Sequence, residues 1–525
     1  EECVNDYQCL PICDNERCGD NLSVCCDAGE ICLAGTTCAA DCPPDEALCG
    51  DGLDICCNAG DVCLAQACVT PGADCFDIFD CPDDWYCEET IGQCLPLPAG
   101  ELCEGEPTFN PIDPALEWYW PGVVYNNLDY RNTIAAPAVG DVNGDGTPDI
   151  VLVMYAGNNQ SNTLIAVLSG AGDGAGNGEL LFTIPSAADP AAPRPYWVTG
   201  VALGNFDADD GLEIVYGMAG GGIRIADNDG VGDLGVRTTG PANTVNWGGP
   251  SLADLNFDGV PEVIVRCHAL DGTDIGNAAL DLVNQNGCGE NTVVADLNQD
   301  GLEEIIDARR AYTADPNNLG GTNLWTVDSN IPSGFIAVAD ILDQPGPEVI
   351  NVLNGLSIMD GLTGAVLVGP GGSLVNQVIP IPGAGQGGAP TVADFDGDGL
   401  PEVSTAGSAA YVVYDPDCWD PPLRAGGQCG TASQNLTLWS TPTQDLSSSR
   451  TGSSVFDFQG DGPAEVLYND ECFFHIYDGS TGQELLDPVL PSSSRTAAEY
   501  PLVADVDGDG NAETSAMGKS AQARQ

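Results

Sequence analysis

The sequence predicts an all-β chain: an eight-bladed β-propeller, with seven blades as the alternative count, preceded by a small disulfide-rich module. Three observations predict it. A nine-residue acidic phrase returns eight times beyond residue 105, short apolar runs flank the copies, and 19 of the 24 cysteines fall within the first 104 residues. A chain of 525 residues with 43% apolar residues is long enough for one large domain and a smaller one. The division is placed at 1–104 for the cysteine-rich module and 105–525 for the propeller.

The module repeats itself. Cys18-Gly-Asp-Asn-Leu-Ser-Val-Cys25-Cys26-Asp-Ala-Gly-Glu-Ile-Cys32 is echoed 31 residues later by Cys49-Gly-Asp-Gly-Leu-Asp-Ile-Cys56-Cys57-Asn-Ala-Gly-Asp-Val-Cys63. Units this short cannot bury enough apolar surface to fold alone, so cross-links stand in for a core. Adjacent Cys-Cys pairs and a near absence of histidine (His268 and His475 only) favour disulfides over zinc, and disulfides imply an oxidising compartment. The pattern resembles knottin-like or EGF-like repeats of extracellular proteins, which implies a stalk or docking role.

The acidic phrase starts at residues 141, 205, 254, 296, 340, 394, 457 and 505. Intervals in the forties to sixties point to a repeat array or propeller. Calcium takes six to eight hard oxygen ligands, and acids at positions 1, 3, 5 and 9 of a tight loop converge on one point, with the position 7 carbonyl adding another oxygen. The candidate ligands are Asp141, Asn143, Asp145, Thr147 and Asp149; Asn205, Asp207, Asp209, Gly211 and Glu213; Asp254, Asn256, Asp258, Val260 and Glu262; Asp296, Asn298, Asp300, Leu302 and Glu304; Asp394, Asp396, Asp398, Leu400 and Glu402; Asp457, Gln459, Asp461, Pro463 and Glu465; and Asp505, Asp507, Asp509, Asn511 and Glu513. That makes about seven Ca2+ sites. The copy from Asp340 to Glu348 keeps the frame and loses the inner ligands, so its site is expected empty or weak. An EF-hand would place its last acid at position 12 between helices; this phrase places it at position 9 between strand-like apolar runs. Asp, Asn and Gly also make good turns without metal, but seven near-complete copies crowd carboxylates in a way that turn formation alone does not require.

The phrase resembles the FG-GAP family, the calcium-loop propeller repeats also found in integrin α-chains. The resemblance covers roughly residues 105–525. It implies one four-stranded blade per repeat, with the calcium loop between its first two strands, and it implies that positions 1, 3, 5 and 9 of each copy are ligands.

Past each loop a strand ends in a turn such as Asp360-Gly-Leu-Thr-Gly364 or Asp478-Gly-Ser-Thr-Gly482, and Trp-bearing strands recur at Trp325 and Trp439. A similar strand at Trp118-Tyr-Trp120 precedes the first loop, and the last loop has too little chain after it to finish a blade. Residues 115–121 are therefore expected to supply the outer strand of the final blade, joining the two ends and removing sheet edges. Outside the module lie Cys267, Cys288, Cys418, Cys429 and Cys472. The expected bonds are Cys267–Cys288, Cys418–Cys429 and a staple Cys103–Cys472, with an intermolecular bond as the alternative.

Function follows from charge and from missing motifs. Asp and Glu outnumber Lys and Arg by 79 to 13, for a net charge of −66. Such a surface repels nucleic acid and anionic lipid and attracts divalent cations. No apolar run is long enough for a membrane helix. The chain opens at Glu1 without a signal peptide, so a processed or trimmed N-terminus is expected. No nucleophile elbow, zinc-protease or phosphate-loop motif is present, and both histidines read as structural. The function read from the sequence is a secreted or cell-surface structural or adhesive protein, non-enzymatic, possibly a subunit of an extracellular filament or matrix. Its partners would be copies of itself, a cell-surface or matrix protein, or a glycan. One alternative is a lectin-like propeller using Trp419. The other is a calcium-dependent polysaccharide lyase drawing on Arg309 and Arg310.

Overall fold

The computed structural model describes residues 115–515, except 134, 158, 208, 239–247, 290, 328–329, 428, 431, 447–448, 461, 487–489, 492–499 and 509–510, and within the first 114 residues it describes short strands with a few neighbouring positions. The chain divides into two compact units, Glu1–Gly105 and Glu106–Gln525.

The first unit is a series of two-stranded antiparallel hairpins. The sequence repeat survives as a structural one. Arg17 faces Cys25 and Cys18 faces Val24; 31 residues on, Leu48 faces Cys56 and Cys49 faces Ile55. Cys57 is bonded to Cys68.

In the second unit, seven antiparallel sheets of four or more strands follow one another along the chain. The second sheet is typical: Val201–Gly204, Glu213–Gly217, Ile223–Ala226 and Asp233–Arg237 pair in sequence order. The first strands of neighbouring sheets touch. Ala138–Gly140 meets Val201–Gly204, which meets Ser251–Ala253, and Phe335–Ala339 lies between Val293–Ala295 and Thr391–Ala393. First strands therefore surround the axis and later strands lie outward, which is a β-propeller. The main expectation of eight full blades is corrected to the alternative of seven. Among the described residues the eighth repeat gives a hairpin, Leu502–Ala504 with Glu513–Ser515. That hairpin packs on the first sheet, where Val506 joins Ile150 and Leu168 in one buried cluster.

The core lies between the sheets. Ile350, Val352 and Ile358 of the fifth sheet pack against Val403, Val412 and Tyr414 of the sixth. Strand residues buried on both faces explain the near-continuous apolar runs in the sequence. The antiparallel order also sorts the turns by end. Every first strand runs into an acidic loop, so all eight loops share one end of the ring. The turns between second and third strands, and the blade-to-blade connections, share the other.

Outer tryptophans link the fourth blade to the fifth and the sixth to the seventh. Trp325 Nε1 donates to the Gly361 carbonyl at 2.7 Å, and Trp439 Nε1 donates to that of Gly479. Gly364 and Gly482, each at φ +68°, lie under these rings, and a Cβ on Gly364 would come within 2.8 Å of the Trp325 indole. Trp118 repeats the arrangement: its Nε1 donates to the Gly170 carbonyl at 2.8 Å, above Gly172 at φ +60°. Residues 115–121 thus occupy, against the first sheet, the place that the Trp325 strand occupies against the fifth. They do so through one bridge, Tyr119 with Asn177, and not as a ladder strand.

Cys267–Cys288 and Cys418–Cys429 are bonded. Cys472 is an exposed thiol with its Sγ 3.5 Å from Gln444 Oε1; the expected staple falls on Cys103, which lies outside the described residues.

Trp118→Phe keeps the ring contact and removes the donor. Its expected cost is about 1 kcal/mol, against about 2–4 kcal/mol for Trp118→Ala, read from urea midpoints.

Candidate metal sites

All eight acidic loops share one frame. The residue before position 1 faces position 9 across the first two strands, as in Ala253 with Glu262 and Ala393 with Glu402. Position 2 is apolar and buried in every copy: Val142, Phe206, Leu255, Leu297, Ile341, Phe395, Phe458 and Val506. Packing that side chain into the core brings its amide onto the position 9 acid. The N–H donates to Asp149 Oδ2 at 3.1 Å, to Glu213 Oε2 at 2.7 Å and to Glu262 Oε2 at 2.8 Å. The same bond measures 3.0 Å at Glu304, 2.9 Å at Glu348, and 2.8 Å at Glu402, Glu465 and Glu513.

Inner positions fold on themselves. Asp141 accepts from the amides of Asp145 and Gly146 at 3.1 and 2.8 Å, and Asp254 and Asp296 repeat this with Asp258 and Gly259 and with Asp300 and Gly301. Position 5 accepts from position 7, as Thr147 N to Asp145 Oδ1 at 2.8 Å. These turns hold carboxylates of like charge together. Ligand oxygens of Asp207, Asp209 and Glu213, of Asp394, Asp396 and Glu402, and of Asp505, Asp507 and Glu513 lie within 4.8 Å of one another. Asp461 and Asp509 lie outside the described residues.

A divalent cation fits this donor set. Asp149 Oδ1 and Glu213 Oε1 are buried without a hydrogen-bond partner. Burial pushes Asp149 up to about 6, Glu262 and Glu304 up to about 7 and Glu402 up to about 8. Buried carboxylates of this kind stay ionised only when a cation faces them. In two loops a position 3 amide partly plays that part: Asn256 Nδ2 and Gln459 Nε2 donate at 2.8 Å to the second oxygens of Glu262 and Glu465.

Two loops depart from the frame in a way the sequence reading missed. Arg424, 3% exposed, reaches from the loop closed by Cys418–Cys429 to Glu402 Oε1 at 2.7 Å, and also pairs with Asp415 and Asp417. Its neighbour Ala425 donates its amide to Asp343 of the incomplete loop at 2.8 Å. The signal was present: an arginine inside a disulfide loop of a chain with very few cations. The grouping of Asp415 with Cys418 and Cys429 is no metal site, because those cysteines are bonded to each other.

Trp419 is only 9% exposed and packs with Leu436 and Val375, so it is not available to stack on a sugar. His268 is buried, and burial with Arg237 and Arg266 lowers it to about 4. His475 lies between Glu484 Oε2 at 2.6 Å and Asp470 Oδ2 at 3.2 Å. Burial disfavours its charge, but the two carboxylates outweigh burial and lift it to about 9.

No family model matches the chain, and no curated protein matches it. Among solved structures the fold is shared. The V. cholerae biofilm matrix protein Bap1 has this propeller. It is 19% identical over 76% of this chain and 87% of its own, with a TM-score of 0.57. Two rhamnogalacturonan lyases, YesW and the exotype enzyme YesX, are more distant, at TM-scores of 0.45 and 0.46 and identities of 19% and 18%. They cover 77% and 75% of this chain, and 73% and 72% of their own. Identities this low speak for the fold alone.

Glu262→Gln keeps an oxygen for the Leu255 amide and removes the charge a cation needs. It is expected to bind one calcium fewer by isothermal titration, with a lowered Tm in calcium. For His475, the folded-state value lies above the unfolded one of about 6.5. Its stabilisation is therefore complete below about pH 6.5 and lost as pH rises through 9. Wild type should lose about 1–3 kcal/mol more across that window than His475→Gln does in denaturant titrations.

Proposed function

We propose that the chain is a calcium-stabilised structural or adhesive component of an extracellular matrix or cell surface. The observation that carries this is the set of position 9 carboxylates, buried in the first seven repeats and held from one side by an amide in all eight, with about seven loops of FG-GAP type poised to bind Ca2+. Calcium is abundant outside cells, where the disulfide bonds of both units are also stable. The Bap1 propeller, in a protein described as a biofilm matrix protein, supports the matrix reading. No helix of the described residues is long and apolar enough to cross a membrane.

The reading is non-enzymatic. Neutral, buried His268 and carboxylate-locked His475 are poor general bases. A matrix component works by holding shape under load, and metal-pinned hairpins at one end of a ring give that stiffness without a large core in each blade.

Calcium removal is the test. Chelation at neutral pH is expected to lower Tm by well over 10 °C and to release the protein from cells or matrix, with both effects reversed by added calcium. Unchanged melting, or a calcium-loaded protein that neither associates with itself nor binds cells or matrix material in imaging and sedimentation, would overturn the proposal.

A further inference from the structure

Positive charge in this acidic chain is sorted to one end of the ring. Arg224 is buried against Asp233, Arg237 against Asp281 and Arg424 against Glu402, and Arg194 is engaged by Tyr130 and the Thr163 carbonyl. The arginines that remain along the propeller's blades stand at the end away from the acidic loops. Arg266 and Arg309 lie in turns between second and third strands, Arg310 opens the strand Arg310–Thr313, and Arg450 lies in the connection before Ser453–Phe456.

Three of the acids at that end are turned inward. Asp307 is 1% exposed and accepts from the amides of Gly289 and Arg309, each at 2.8 Å. Asp445 is 1% exposed and accepts from Ser449 and Thr451, and Asp470 is held by His475. Arg309 and Arg450 have no such partner among the described residues. The Nε of each is buried and makes no hydrogen bond.

The two arginines flank one segment. Asp307 ties Arg309 to Gly289, whose Cα faces Ser333 so closely that an added Cβ would lie 2.6 Å from Ser333 Oγ. Two residues on, the Phe335 ring lies 5.6 Å from the Arg450 guanidinium carbon. Tyr500, 37% exposed, lies against Gly452 beside Arg450. Guanidinium groups without acid partners, aromatic rings and inward-turned carboxylates meet at one mouth of the propeller.

We infer that this mouth binds a carboxylated glycan, with Arg309 and Arg450 pairing with uronate carboxylates and Phe335 and Tyr500 presenting ring faces to the sugars. A guanidinium fork matches a carboxylate in shape and charge. A net charge of −66 does not forbid it. The acidic loops lie at the opposite end, beyond the Debye length of about 8 Å at physiological salt. Few arginines in one place suit separate carboxylates along a glycan, not a phosphate every ~1.7 Å along a duplex. The inference does not depend on the matrix reading, which fails or holds by calcium removal.

The test is titration of the full chain, calcium-loaded at fixed calcium, with oligogalacturonate, with heparin as the sulfated arm and dextran as the neutral arm. Wild type is expected to bind oligogalacturonate more tightly than heparin and not to bind dextran. Arg309→Gln with Arg450→Gln should weaken oligogalacturonate at least tenfold with Tm and calcium stoichiometry unchanged, and Arg→Lys at both positions should restore part of it. The inference is overturned by a glutamine variant that binds as wild type does, by preference for heparin, by equal binding of dextran, or by wild-type self-association that the glutamine variant abolishes without any glycan binding. If the glutamine variant misfolds, the lysine variant decides: loss of binding in a folded lysine variant supports bidentate arginine recognition, and full wild-type affinity overturns it.

Discussion

Each of the first seven repeats buries a carboxylate where its second strand begins, and in all eight the amide of the loop's second residue donates to it. That amide is in place because its own side chain, Val142 or Phe395 for example, is packed into the core between blades. Hydrophobic burial therefore aims the hydrogen bond, and the hydrogen bond fixes one face of the acid. The other face is left to a cation. A buried carboxylate with one oxygen satisfied is unfavourable on its own, so the ring is completed only when each loop acquires positive charge or a donor.

The chain meets that requirement in more than one way. Most loops present a cluster of oxygens suited to calcium. The loop at Asp394 adds Arg424, a tethered cation held at Glu402. The incomplete loop at Asp340 has lost its inner acids, and its Asp343 is capped by the Ala425 amide from the same disulfide-closed insertion. Blades five and six thus share one peptide plug. Glu348 keeps its place there, with burial lifting it to about 9, so it is held as the neutral acid at physiological pH.

Much of this was legible in the residues. Spacing and the position 9 acid located the loops and their strand flanks, and the recurring Trp and Asp-Gly-x-Thr-Gly turns marked the outer strands. Two cysteine pairs were legible because each closes a short loop in one repeat. Trp419 was misjudged as a sugar contact because a tryptophan in an insertion reads as exposed until the insertion is seen folded against Leu436 and Val375. The eighth blade was overcounted because a loop motif specifies a hairpin, while a blade needs two further strands.

Local physics sets what a sequence alone determines. Turn geometry, ligand spacing and strand alternation act within some ten residues, so the all-β class and the loop frame belong to the sequence. Which charges meet is settled across blades. Ala425 of the sixth blade caps Asp343 of the fifth, and Arg450 lies over Phe335 from two blades away. Only closing the ring brings those groups together, because the antiparallel order of each sheet sends acidic loops to one end and arginine-bearing turns to the other.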